Sequence, residues 1–363
     1  MAEFKELVSS FLREQMQSVE SEYGKDSPQF VALEKQYIKS PLEDIDYEEH
    51  NRRHYEADLE VEETREGSHH LRGMERLYNR TIVVEPTLAC ISHCRYCLRG
   101  NYDYFLLTEE DLDAIAEYCG TVGKETGIEE ILVTGGDPFL IPEKVEFFIS
   151  KIREKADNIR LIRIATRLLT HDPNQIDDRM FAIFDKADDN IRFEVATQIN
   201  HPVEFFPETI QKIKEIQQHN VRIYSQNVLL KGVNDNIDTL VELYTLMHRY
   251  GIESHYLFHC VPLKGMHHFR TTVGKGIELA RELTSGGKIS GRAKPMYSLM
   301  TDVGKVTLYD GAIIGKENGS LIIKTGYKYE DRMRWNPSWK LPETAFADDD
   351  GRICVRYLDG SDD

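Results

Sequence analysis

Long apolar runs are missing from this chain of 363 residues. None approaches the roughly 20 residues that a membrane-spanning helix requires, so no span is expected. The amino-terminal "MAEFKELVSSFLREQMQ" reads as the start of an amphipathic helix rather than as a signal peptide. Positive charge is also scarce: 45 Lys and Arg stand against 62 Asp and Glu, a formal net charge of −17. Such a surface repels a nucleic-acid backbone or an anionic membrane, although it says little about a local cationic pocket. Paired cysteines are absent too. Of six cysteines, Cys119, Cys260 and Cys354 are scattered and read as small buried apolar residues. A large chain without a leader does not suggest a disulfide framework, and a soluble, cytoplasmic protein is expected.

What is present is a change of texture along the chain. Residues 1–75 are charged and helical in pattern, an extension in which Glu43 to His70 reads as partly mobile. From residue 80, short β-branched or aromatic runs alternate with amphipathic stretches. "TIVVEP", "EILVTGG", "LIRIAT", "RFEVATQI", "VRIYSQNVLL" and "SHYLFHC" read as strands. Between them lie helical patterns such as "TEEDLDAIAEYC", with Thr108 as N-cap. Six βα units in order predict a parallel sheet, doubly wound or barrel-like; an open, partial (β/α)6 TIM-like barrel over 76–290 is the first choice. Residues 291–363 should form a small β-rich segment, with "MYSLMTDVGKVTLYDG" and "GSLIIKTGYKY" as antiparallel hairpin strands and an acidic tail on the surface.

Chemistry in such folds gathers at the carboxyl ends of the strands. Those ends carry "PTLACISHCRYCLRGNY", "TGGDP", Arg167, "TQINHP", Ser225 with Gln226, and "HCVPLKG". The first places Cys90, Cys94 and Cys97 at CxxxCxxC spacing. Structural zinc wants four ligands, and no second pair follows, although His93 or a distant histidine would complete one. A fortuitous trio of buried cysteines fits poorly in a loop holding Arg95, Tyr96 and Arg99. An iron–sulfur cluster with an incompletely ligated iron is the third reading, since thiolates hold such clusters and an open position leaves room for a ligand.

CxxxCxxC after the first strand of a six-unit βα barrel resembles the motif of the radical S-adenosylmethionine (SAM) superfamily. Over about residues 75 to 310 the chain resembles lysine 2,3-aminomutase and its relatives. "ERLYNRTIVVEP", "CRYCLRG", "EILVTGGDP", "IRIATR", "TQINHP", "SQNVLLKGVND" and "YLFHCVPLKGMHHFRTTVGKGIE" carry that likeness. The resemblance implies a [4Fe–4S] cluster on Cys90, Cys94 and Cys97 whose fourth iron chelates the methionine part of SAM. It implies reductive cleavage to a 5′-deoxyadenosyl radical, with the electron coming from a donor such as flavodoxin or ferredoxin. Tyr96 would lie against the adenine, and Gly135, Gly136 and Asp137 would receive the methionine amine. Arg99 would grip the methionine carboxylate, with Gln198 and Gln226 lining the cofactor site. The substrate would be an amino-acid-like small molecule, and relatives suggest a homo-oligomer.

The same resemblance implies pyridoxal 5′-phosphate, held by an imine lysine and an RxxxR phosphate grip. Arg76 and Arg80 match the grip; Lys305 is the best positional match for the lysine and Lys294 the second. The family's glycine run is shortened here to Gly304. Lysine-specific members use two aspartates for the distant ammonium; one position is Val261 here and the other falls near Met300 to Asp302. A valine cannot pair a charged amine, which argues against free α-lysine. His259, Lys264, His267, His268 and Arg270 would suit an anionic group at this rim. Amino migration of the 2,3-aminomutase type is therefore the leading expectation. A pyridoxal-independent radical epimerase, dehydrogenase, dehydratase or carbon-skeleton enzyme is the alternative, and a non-catalytic metal-binding module the third.

Overall fold

A computed structural model describes residues 4–45, 71–76, 78–101, 104–337 and 339–362. The expectation of mobility for Glu43 to His70 falls almost wholly outside them. The chain opens with α1 (Ser10–Tyr23) and α2 (Pro28–Tyr37). Each starts on a serine N-cap: Ser9 accepts from the Leu12 amide and Ser27 from the Phe30 amide. Phe11, Leu12 and Met16 pack against Phe30, Leu33 and Tyr37, joined by Phe206 from the barrel. The extension is thus a helical hairpin seated on the main body.

The body is a nine-stranded sheet in sequence order. Its strands are β1 (Met74–Glu75), β2 (Thr81–Thr87), β3 (Glu130–Gly135), β4 (Leu161–Ala165), β5 (Arg192–Thr197), β6 (Arg222–Leu229), β7 (Ile252–His259), β8 (Met296–Thr301) and β9 (Gly304–Thr307). Strands β2 to β8 run parallel, and β1 and β9 add antiparallel edges. Helices α3 (Glu109–Tyr118), α4 (Pro142–Lys155), α5 (Leu168–His171), α6 (Asp178–Phe184), α7 (Pro207–Gln218), α8 (Ile237–Arg249) and α9 (Val273–Ser285) cross over between them. The α/β class and the partial barrel agree with expectation. Thr108 caps α3 in a reciprocal capping box with Asp111. Ile82, Val84, Ile131, Val133, Ile162 and Ile164 are fully buried, so the β-branched runs that mark the strands also form the layer beneath the helices.

Two findings go beyond the sequence reading. The strand after α9 is both the first arm of the expected hairpin and the last parallel strand of the barrel, pairing Tyr256 with Met296 and Phe258 with Ser298. The carboxyl-terminal segment also bridges the open seam. Tyr78 Oη accepts from the Lys305 amide, Tyr327 Oη donates to the Lys305 carbonyl, and Arg332 donates to the Val303 carbonyl.

A second sheet holds β10 (Ile313–Glu317), β11 (Ser320–Lys328), β12 (Ala345–Ala347) and β13 (Arg352–Leu358), with α10 (Tyr329–Trp335) between β11 and β12. The acidic tail is not simply surface. Ile353, Cys354 and Val355 are buried, and Asp359 and Asp362 accept from the Val273 and Thr272 amides at the start of α9. Carboxylates at a helix amino terminus meet unpaired amides and the positive end of its dipole.

Candidate active site at the strand ends

Loops at the carboxyl ends of the parallel strands enclose a cavity of about 270 Å³. Cys90, Cys94 and Cys97 all line it. The loop that carries them turns tightly, with the Cys97 amide donating to the Cys94 carbonyl and the Gly100 amide to that of Cys97. Burial pushes the Cys97 thiol up to about 11 and Cys90 well above its usual value, and the neighbouring thiols add to both. A bound cation reverses that preference, because metal ligation and deprotonation are coupled. Among the described residues no His, Cys, Asp or Glu group is clustered as a single-ion site.

The extension holds this loop in place. Arg95 forms a buried ion pair with Glu43 and also donates to the Phe4 and Lys5 carbonyls, while its amide reaches the Gln36 carbonyl. The His93 amide donates to the Leu7 carbonyl. Beneath lies a polar knot that sequence reasoning missed. From the end of β4, Arg167 donates to Cys94 Sγ at 2.8 Å and to Tyr96 Oη at 2.5 Å, both through Nη1. Its Nη2 reaches Tyr37 Oη and the fully buried Glu204 at 2.8 and 2.6 Å. His171 Nε2 stands 3.6 Å from Cys94 Sγ, and burial followed by the Arg167 charge holds that imidazole neutral. Only Arg167's place at a strand end signalled it. Its partners come from residues 37 to 204.

"TGGDP" has a different local role from the expected one. Gly135 sits at φ +102°, and a Cβ there would stand 2.4 Å from the Thr87 carbonyl oxygen; at Gly136 the clash is with the Ala89 carbonyl at 2.1 Å. The glycines therefore let β3 cross directly behind the cysteine loop. Both line the cavity. Asp137 also lines it, but accepts from Thr166 Oγ1 and from the amides of Phe139, Arg167 and Leu168. Burial raises its carboxyl to about 6 despite those donors. Tyr96, Arg99, Gln198 and Gln226 are on the cavity as well. Arg99 is already ion-paired to the buried Glu85.

Lys305 lines the same cavity. Its ammonium lies 6.0, 5.5 and 5.6 Å from the ring centres of Tyr78, Tyr256 and Phe258. Burial lowers it to about 8, a Glu75 carboxylate opposing the shift. Lys294, the second choice, is exposed on the approach to β8 and lies off the cavity. Arg76 and Arg80 are off it too. Arg76 is buried and donates to Tyr118 Oη and Thr126 Oγ1, and Arg80 makes an exposed pair with Glu129. The wall beside Lys305 is apolar, made by Val228, Phe258, Val261 and Met300. Asp302, the candidate acid of that stretch, bonds Thr344 instead.

The cationic rim also dissolves on inspection. Arg270 is fully buried and donates to the carbonyls of Cys260, Leu358 and Asp359, which fastens the tail. His259 lines the cavity but is held between Tyr357 Oη and the Thr271 carbonyl, and burial lowers it to about 3. Lys264 is exposed, and neither it nor His267 nor His268 lines the cavity.

The residues present thus fit a three-cysteine cluster with a ligand beside it. They do not fit pyridoxal phosphate as the sequence suggested: Lys305 is in place, but the two arginines assigned to the phosphate are engaged elsewhere.

A profile of the Radical SAM superfamily matches residues 84–266, just over half of the chain. A protein of Aquifex aeolicus provisionally named L-lysine 2,3-aminomutase is 31% identical over 64% of this chain and 62% of its own length. The L-lysine 2,3-aminomutase of Acetoanaerobium sticklandii is 27% identical over 69% of this chain and 60% of its own. The chain thus spans about three fifths of the length of these two relatives. Among solved structures, a radical SAM methyltransferase from Sphaerobacter thermophilus overlaps 66% of this chain and 72% of its own, at 18% identity and a TM-score of 0.49.

Proposed function

This chain belongs to the radical SAM superfamily and is related to the lysine 2,3-aminomutases; from that premise we propose that it abstracts hydrogen from an amino-acid-like substrate and moves its amino group between neighbouring carbons. The observation that carries the reading is one cavity lined both by the three cysteines and by the buried Lys305. The Arg99 charge is felt at Cys90, Cys97 and Lys305 alike. Cys90, Cys94 and Cys97 would hold a [4Fe–4S] cluster, which would supply the electron for reductive cleavage of SAM and so the radical that takes the substrate hydrogen. A small reducing protein such as flavodoxin or ferredoxin would deliver that electron.

The chain's own residues do the positioning. Arg167 aims a guanidinium at Cys94 Sγ and fixes its direction. Gly135 and Gly136 keep space open behind the loop, and Gln198 and Gln226 line the same cavity, with Gln198 Nε2 donating to the Gln226 carbonyl. The Val228–Phe258–Val261–Met300 wall excludes water from the reacting carbons. Lys305, lowered by burial to about 8, reaches its free amine far more readily than an exposed lysine and can then accept a proton or attack a carbonyl. Anaerobic reconstitution with dithionite, SAM and deuterated amino acids tests the reading. Deuterium should enter 5′-deoxyadenosine, and a reduced cluster that cleaves no SAM would refute it.

The engaged Arg76 and Arg80 favour a second reading, in which the same radical chemistry runs without pyridoxal phosphate as an epimerase, dehydrogenase, dehydratase or carbon-skeleton enzyme. Borohydride reduction with pyridoxal phosphate, followed by peptide mapping, separates the two. Label on Lys305 supports amino migration; its absence supports the second.

A further inference from the structure

The charged groups of the cavity are unevenly satisfied. Asp137 has four donors, and Arg167 has Glu204 and two phenols. Lys305 feels the charge of Glu75. Glu85 is different. It is completely buried and lines the cavity. Oε1 accepts from the Arg99 guanidinium, yet Oε2 is shut off from solvent and accepts no hydrogen bond among the described residues.

An ionised carboxylate offers about four acceptor sites. Leaving one oxygen of a buried carboxylate empty is costly, and native structures seldom do so without a functional reason. The backbone holds Glu85 where it is. Side chains alternate along β2, so Val83 and Glu85 face the cavity while Ile82 and Val84 enter the core. Gly135 stands alongside, so close that a Cβ there would approach Glu85 Cβ to 3.0 Å.

We propose that Glu85 is the receptor for a primary ammonium group on the ligand of this cavity, and that Arg99 is its fixed counter-ion rather than a grip for a carboxylate. The ligand class is an α-amino-acid head group. It rests on the proposed function, which supplies two sources for that head: the methionine part of SAM and the substrate itself. Charge supports the assignment: Glu85 meets the Arg99 guanidinium through Oε1, which leaves Oε2 to face a cation. Val261 and Met300 leave an apolar path for the remainder of a substrate, so a single amine is anchored at the Glu85 end.

The test is anaerobic calorimetry, without reductant, on full-length reconstituted protein and on Glu85→Gln, matched for iron content and circular dichroism. The amide keeps an acceptor for Arg99 but loses the second carboxylate oxygen. Four probes are titrated: SAM, its analogue lacking the α-amine, and, with SAM present, n-butylamine and 1-butanol. If the cofactor supplies the amine, wild type should prefer SAM to its analogue at least tenfold, and Glu85→Gln should erase that preference. If the substrate supplies it, the variant should instead lose n-butylamine binding and leave 1-butanol unchanged. Equal ratios in both proteins for both pairs overturn the proposal. Should Glu85→Gln fail to hold iron, Glu85→Asp replaces it; the shortened carboxylate should weaken the same preference, and an unchanged one counts against Glu85. None of these readouts needs SAM cleavage, so a failure of the proposed function remains distinguishable.

Discussion

Part of the cavity lining is polar, with Arg167 and Asp137 each holding several buried partners, and part is apolar, made by the side chains of Val228, Phe258, Val261 and Met300. The polar wall carries the cysteines, and its groups are fixed by fully buried hydrogen bonds that tolerate little change. The apolar wall fixes shape and polarity but no single geometry, and hydrophobic surfaces accept volume-conserving exchange. A cofactor shared by many reactions would demand the first kind of wall. A substrate particular to this protein would be selected by the second.

That contrast can be broken at both ends. The largest effect is expected at Cys94→Ala, which should abolish SAM cleavage completely and lower iron content on reconstitution; retention of both would separate the polar wall from the cluster. Next is Lys305→Ala. Product formation should fall by about 10²–10⁴-fold while 5′-deoxyadenosine is still released, because a positioned proton-transfer or nucleophilic group is lost downstream of cleavage. The same lysine gives a pH signature. Since burial disfavours its ammonium, the reactive amine forms as pH rises through about 8 instead of 10.5, and reductive labelling of the Lys305 peptide should rise through that window. Labelling that waits for pH 10 would deny the enclosure.

Arg95→Ala should destabilise by about 3 kcal/mol, because Glu43 would be left buried without its partner; a denaturant midpoint shift and faster proteolysis of residues 4–45 would show it. Val261→Asp should cost about 1–3 kcal/mol of stability for an unpaired buried carboxylate. It should also raise the affinity for diamines over monoamines, and an unchanged ratio would mean that this wall does not read the substrate. Arg80→Ala is expected to be the smallest change, below about 1 kcal/mol for an exposed pair, with pyridoxal phosphate labelling unaltered. A large loss there would return the phosphate role to it.

The sequence made the periodic features legible and left the convergent ones hidden. The six barrel strands stand in β-branched runs whose period and turn residues are local properties, and CxxxCxxC is legible because all three ligands sit within eight positions. Arg167 is not, since its meaning depends on Tyr37, Cys94 and Glu204, which only folding brings together. Lys305 and Lys294 are nearly equivalent as sequence. A hairpin turn at Asp302–Val303 sends one into the cavity and leaves the other outside. Arg76 and Arg80 match a spacing but turn toward Thr126 and Glu129, and Arg270 reads as a rim cation until the tail is seen folded over it. The pairing of Arg99 with Glu85 had no local signal at all.

The hairpin of α1 and α2 also has a consequence in time. It leaves the ribosome before the barrel, yet Tyr37 bonds Glu204, 167 residues later. Contacts of such sequence separation form slowly, because a long loop must close before they contribute. The cysteine loop is therefore expected to stand uncovered until β5 and its following turn have been made, an interval in which iron and sulfide have free access. Pulsed hydrogen exchange during refolding should show α2 protected after β2 to β5; protection of α2 first would mean that the cover closes before its contents arrive.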